Sequence, residues 1–166
     1  MRFPVVTNST PIIGLASLDQ LDLLSKLFEK VYVTRQVYNE VADDIGSRVG
    51  ADGLKKQIQE GCIILYDIVG NKFVELMFGR LHRGELSVMV AAKELGISYV
   101  LMDDASARKT AESFSLVPIG TAGILKLAKM KGLLPKIKPL LDKLMYNNFR
   151  ISLKLYNEIL KDVNEL

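Results

Sequence analysis

Short runs of β-branched and apolar residues alternate along this chain with longer stretches whose apolar residues recur every three or four positions. The runs cover residues 3–7, 31–33, 62–66, 99–102 and 116–119. Strands alternating with helices imply right-handed crossovers and a parallel sheet covered on both faces. Residues 3–7 are a short β-branched run that fits a buried parallel strand. Pro118 makes the last run an edge strand, because proline has no N–H for an interior ladder. Thr10 is a helix cap and Pro11 suits a first helical position. A second short helix is expected over 20–29. Thr34 caps a helix over 35–44, residues 45–50 read as a loop, and a helix over 51–59 stops at Gly61. After a loop and a short helix near 72–78, a helix over 84–95 ends at Gly96. Asp104 opens a helix to about Phe114, and Thr121 caps one that reaches Lys131 before Gly132. Helices over about 136–146 and 152–163 close the chain.

A chain of 166 residues is the size of one domain, and it should hide about 70% of its unfolded surface without a disulfide or metal staple. The single cysteine, Cys62, excludes a multi-cysteine metal cluster and is expected in the core. No apolar run reaches the roughly 18 residues of a membrane span. Residues 1–6 turn polar too soon for a signal peptide, so a cytoplasmic protein is expected. The net charge is only +3, but it is unevenly spread. Lys126, Lys129, Lys131, Lys136, Lys138, Lys143, Arg150 and Lys154 face a single acid, Asp142, between residues 121 and 154. Such a segment suits a polyanion or an acidic partner, although solvated helix faces explain it more simply. No phosphate-cradling G-x-x-x-x-G-K-[ST] loop and no G-x-G-x-x-G after the first strand is present.

Open parallel sheets place their sites beyond the carboxyl ends of the strands. Those ends are Asn8-Ser9-Thr10, Thr34, Asp67 and Asp103-Asp104. Two further acids fall on apolar helix stripes. Glu85 precedes Val88 and Met89 by three and four positions, and Glu40 lies between Val37 and Val41. A carboxylate that approaches a core is costly unless it is paired or bound to a cation. Glu40, Glu85 and one or both aspartates, with oxygens of Asn8, Ser9 and Thr10, make a candidate site for a hard divalent ion such as Mg²⁺. Each residue also has a plainer explanation. Asp103 and Asp104 can cap a helix, Glu85 can answer a helix dipole, Glu40 can pair with Arg35 or Arg48, and Ser9 and Thr10 can cap. His82 is the only histidine, which argues against a Ser-His-Asp triad and leaves it capping a helix or reaching a phosphate.

Four segments stand in order along the chain: Val5-Val6-Thr7-Asn8-Ser9-Thr10-Pro11, Val37-Tyr38-Asn39-Glu40-Val41, Leu81-His82-Arg83-Gly84-Glu85 and Leu101-Met102-Asp103-Asp104-Ala105-Ser106-Ala107-Arg108. Together they resemble the PIN-domain family of metal-dependent ribonucleases, and in particular its prokaryotic VapC-like branch. The resemblance implies a three-layer α/β/α fold with a central parallel sheet of four or five strands. It implies a nuclease domain over 1–132 and a C-terminal helical extension over 133–166 packed on the same domain. It also implies an Mg²⁺- or Mn²⁺-dependent endoribonuclease acting on single-stranded RNA, with an antitoxin protein as partner and a homodimeric state. By the same likeness Glu85 and Asp104 are main metal ligands, Glu40 and Asp103 join them, and Ser9, Thr10, His82, Arg83 and Arg108 face the RNA. One departure stands out. The family carries aspartate where this chain has Asn8, which offers an oxygen but no charge. Metal affinity is expected to fall and activity to be weakened or lost, so a catalytically inactive RNA-binding or protein-interaction module is the alternative.

Overall fold

Strands of three or four residues, rich in valine and isoleucine, form the centre of the molecule. The computed structural model describes residues 2–43, 48–77 and 82–166. The strands are β1 (Val5–Thr7), β2 (Val31–Thr34), β3 (Ile63–Tyr66), β4 (Tyr99–Leu101) and β5 (Val117–Ile119). They make one parallel five-stranded sheet in the order β3-β2-β1-β4-β5. Val5 lies between Val31 on one side and Tyr99 on the other. All three residues of β1 are buried, which is why this strand reads as an apolar run without alternation. Pro118 sits on the edge strand β5, where a missing N–H costs no interior ladder bond.

The helices are α1 (Ser9–Ser17), α2 (Leu23–Leu27), α3 (Arg35–Asp43), α4 (Arg48–Gln59), α5 (Asn71–Met77), α6 (Arg83–Leu95), α7 (Ala105–Ser113), α8 (Thr121–Met130), α9 (Lys138–Tyr146) and α10 (Leu153–Asp162). With the sheet they form a three-layer α/β/α fold. No helix among the described residues is long and apolar enough to cross a membrane.

Several expected boundaries shift. α1 begins at Ser9, not after Thr10: Asn8 is the cap, its Oδ1 accepting the Ser9 N–H at 2.9 Å. Pro11 still costs nothing at the third helical position, because the first four N–H groups of a helix have no partner within it. Residues 48–50 belong to α4 rather than to a loop, with Gly50, Ala51 and Leu54 buried, so packing overrides glycine's weak helix propensity. The rest of the expected loop, residues 45–47, lies outside the described residues, as do Phe78 and Leu81. The helix expected over 20–29 shrinks to α2. Cys62 is half-buried just before the edge strand β3, outside the core cluster. Thr121 is the first residue of α8 and Gly120 its cap. The turns at Gly61, Gly96 and Gly132 all have positive φ, as their helix-ending role requires.

Ile137, Leu141, Leu144, Ile159, Leu160 and Val163 join the same hydrophobic cluster as the sheet. Phe149 lies across α1 at Gly14, where a Cβ would fall 2.6 Å from the ring. The C-terminal basic segment is partly neutralised from within. Lys126, Lys129 and Lys138 pair with Asp162, Glu165 and Asp142. Glu165 also accepts the N–H groups of Ile137 and Lys138, capping α9, whose own Ile137 supplies no side-chain bond.

Candidate functional site

The strand order turns back on itself between β1 and β4: the chain runs outward from β1 to β2 and β3, then crosses to β4 and β5. At such a switch point the loops leaving neighbouring strands part in opposite directions and open a crevice. Asn8 follows β1 and Asp103-Asp104 follow β4, so both motifs stand at that crevice. The Asn8 N–H donates to Leu101 O at 2.8 Å and ties the two strand ends together.

Glu85 enters from the first turn of α6. It is only 8% exposed, and its Oε2 accepts the His82 N–H at 3.2 Å. Burial pushes its pKa above the ordinary carboxylate value; the His82 N–H pulls it back, and the charges of Asp104 and Glu40 push it up again. Glu85 thus feels the charges of two acids far from it in sequence. Among the described residues no basic side chain forms an ion pair with any of these three acids.

Their settings differ. Glu40 is exposed, contrary to the expectation that it approaches the core. Its carboxylate lies against Gly84, where a Cβ would fall 2.6 Å from Oε2, so a larger residue at Gly84 would displace it. Asp104 is exposed and caps α7 by accepting the Ala107 N–H at 2.9 Å; that bond uses Oδ2 and leaves Oδ1 available. Asp103 turns elsewhere. Its Oδ1 accepts the Thr121 N–H at 2.8 Å and its Oδ2 the Thr121 hydroxyl at 2.7 Å. Asp103 therefore supplies the cap that Gly120 cannot, and it fastens α8 to the end of β4. Burial raises the Asp103 pKa despite these bonds and the nearby Arg108 charge.

Asp103→Ala tests that fastening. It strands the N–H and hydroxyl of Thr121, which is 1% exposed. Two unmade bonds to a buried residue cost about 2–4 kcal/mol, so urea unfolding should show a loss of that size, and Asp103→Asn should lose less.

Ser9 and Thr10 are half-buried in the first turn of α1, at the same edge as Asn8. His82 and Arg83 are exposed at the head of α6, where Arg83 pairs with Glu75 at 3.1 Å. Arg108 stands near Asp103, its charge opposing the burial that raises the Asp103 pKa and its Nη1 donating to Met102 O at 3.3 Å. Sequence reasoning passed over Ser87. Its hydroxyl meets Thr34 Oγ1 at 2.7 Å and donates to Gly84 O at 2.6 Å, while Thr34 accepts the Val37 N–H and starts α3. These buried hydroxyls tie together the helices that carry Glu40 and Glu85. A serine within the apolar stretch Leu86-Ser87-Val88 was the available signal.

Among the described residues no three His, Cys, Asp or Glu side chains close on one point tightly enough to hold an ion by themselves. The donor set is all oxygen, it carries excess negative charge, and it opens to solvent at Glu40 and Asp104. That fits a hard divalent ion that keeps part of its water shell, and not a closed cage.

Among curated proteins, none matches this chain. A family model described as a PIN domain matches residues 4–165 and so spans the sheet and the C-terminal helices alike. The chain belongs to the PIN-domain family, whose members are in general nucleases that bind nucleic acid and use divalent metal ions.

Proposed function

We propose that this protein is an endoribonuclease that hydrolyses phosphodiester bonds of single-stranded RNA with Mg²⁺ or Mn²⁺. The observation that carries the reading is Glu85, a buried carboxylate at the switch point whose ionisation is opposed by two neighbouring acids and balanced by no ion pair among the described residues. A bound divalent ion would lower the pKa of an attacking water and stabilise the leaving oxygen of an in-line displacement. Glu85 and Asp104 would hold that ion, with Glu40 reaching it directly or through water. Asn8 contributes an oxygen without charge, so the site is one negative charge weaker and its activity attenuated. Ser9 and Thr10 orient water or phosphate. His82, Arg83 and Arg108 face the RNA backbone, with binding that weakens in salt. Residues 1–132 carry the reaction and 133–166 cover the same domain.

The likeness to the VapC-like branch extends the proposal to the toxin of a toxin–antitoxin pair, with an antitoxin partner, a homodimer and a cytoplasmic setting. Asn8 favours a second reading, a PIN module that binds RNA or protein without cutting. Labelled single-stranded RNA with Mn²⁺ separates the two. Cleavage by the wild type, lost in Glu85→Ala and Asp104→Ala, supports the enzyme. RNA binding with no cleavage at any Mn²⁺ concentration supports the module.

A further inference from the structure

Beyond Asp103 lies a second concavity of about 470 Å³, within the range of about 300–1,000 Å³ typical of small-molecule sites. It opens between β5, α7 and α8 on one side and the segment leading into α10 on the other. One part of its lining is cationic: Arg108, Lys126 and Arg150. Lys126 is already paired with Asp162 at 2.6 Å. Arg150 is exposed and forms no ion pair among the described residues. Arg108 forms none either, but it stands near the Asp103 carboxyl, where its charge opposes the burial that raises that pKa, so Arg150 is the less committed of the two. The other part is apolar, with Phe149, Ile151 and Leu155. A ligand that satisfies both is an anion carried on a flat apolar body.

Position narrows the choice. Asp103 and Ala105 line this pocket and flank Asp104 in sequence, so pocket and carboxylate cluster share a wall. Gly120 shapes the cationic part: a Cβ there would fall 2.8 Å from Arg108 Nη1, so the absence of a side chain lets the guanidinium lie against the backbone.

We propose that this pocket is a nucleotide subsite, holding one nucleotide beside the scissile bond with its phosphate on Arg108 and Arg150 and its base against Phe149 and Ile151. The role in RNA specificity rests on the nuclease reading; nucleotide binding itself does not. An acidic peptide would satisfy the arginines but leave unexplained the apolar wall and the place beside Asp104.

Amide chemical shifts of the full chain, followed in EDTA, test the site with adenosine 5′-monophosphate, adenosine, inorganic phosphate and an aspartate-rich peptide. The nucleotide should shift the amides of Arg108, Gly120, Gly123 and Ile151. Adenosine and phosphate alone should each bind about tenfold more weakly or worse, since each loses one half of the contact. Arg150→Glu and Gly120→Ala should weaken the nucleotide by about tenfold or more, whereas Glu85→Gln should leave its affinity unchanged. In the cleavage assay Arg150→Glu should raise KM for RNA and spare kcat. Shifts from the peptide but not the nucleotide overturn the proposal, as does a nucleotide affinity indifferent to Arg150. Nucleotide binding here in a protein that cuts no RNA upholds the subsite and rejects the nuclease reading. Cleavage without nucleotide binding does the reverse.

Discussion

Glu85→Gln is expected to lower metal-dependent RNA cleavage by at least about a hundredfold, since even partners behind a metal ligand cost 10–100-fold and a direct ligand costs no less. The same change should make the metal-free protein more stable at neutral pH. The folded Glu85 has a raised pKa, with burial as the main cause. Above the ordinary glutamate value the folded state therefore holds a proton that the unfolded state has released, and stability falls as pH rises through that window. Glutamine cannot ionise and removes the penalty. The gain should be absent at about pH 3, well below the ordinary glutamate value, where glutamate is protonated in both states, and complete once pH exceeds the folded pKa. Thermal melts in EDTA at both pH values check this, with Tm rising about 2–4 °C for each kcal/mol recovered. Added Mn²⁺ should stabilise the wild type by RT ln(1 + [Mn²⁺]/Kd) and leave the variant largely unmoved. A Glu85→Gln protein that loses stability at neutral pH would show that the buried carboxylate is paired in the fold, and the metal assignment would fail with it.

Asn8→Asp should act in the opposite direction on metal. Asn8 is 4% exposed at the end of β1 and accepts the Ser9 N–H through Oδ1. Aspartate has the same shape and keeps that bond, and a negative charge at the start of α1 is favoured by the helix dipole. A unit charge about 4 Å from another is worth about 4 kcal/mol at an effective dielectric of 20. The repulsion of the three existing acids is present with and without metal and cancels from the binding free energy, so Mn²⁺ affinity should rise about tenfold or more. Cleavage rate at low Mn²⁺ should rise with it. Without metal the sign reverses: a fourth acid at the crevice should lower Tm in EDTA. Half-saturating Mn²⁺ from cleavage rates, set beside metal-free melts, reads both effects. An unchanged metal requirement would remove position 8 from the site.

The two acids at 103 and 104 show how far residue identity leads. Both read as caps or ligands in the sequence; Asp104 reads as the helix opener and a main ligand, but nothing there gives Asp103 a partner of its own. The division appears only when β5 returns beside β4 and brings Gly120-Thr121 against Asp103. Thr121 then occupies both oxygens of Asp103, while Asp104 is left facing Glu85. Glu40 is the converse case. Helical spacing put it on a buried stripe, but that spacing cannot see that Gly84 of another helix supplies the surface it lies on, at the exposed margin of α3.

The alternation of strands and helices, the edge position implied by Pro118, the helix stops at glycine and the candidate acids were all written in local chemistry. Backbone sterics, side-chain period and proline's missing N–H act within a few residues and need no knowledge of the rest of the fold. Strand order, the crevice between β1 and β4, the separate duties of neighbouring aspartates and the cation-lined pocket beside β5 were decided only by tertiary packing. They depend on which distant segments pay their ordering entropy by burying apolar surface together, and electrostatic coupling among Glu40, Glu85 and Asp104 exists only once that burial has brought them near.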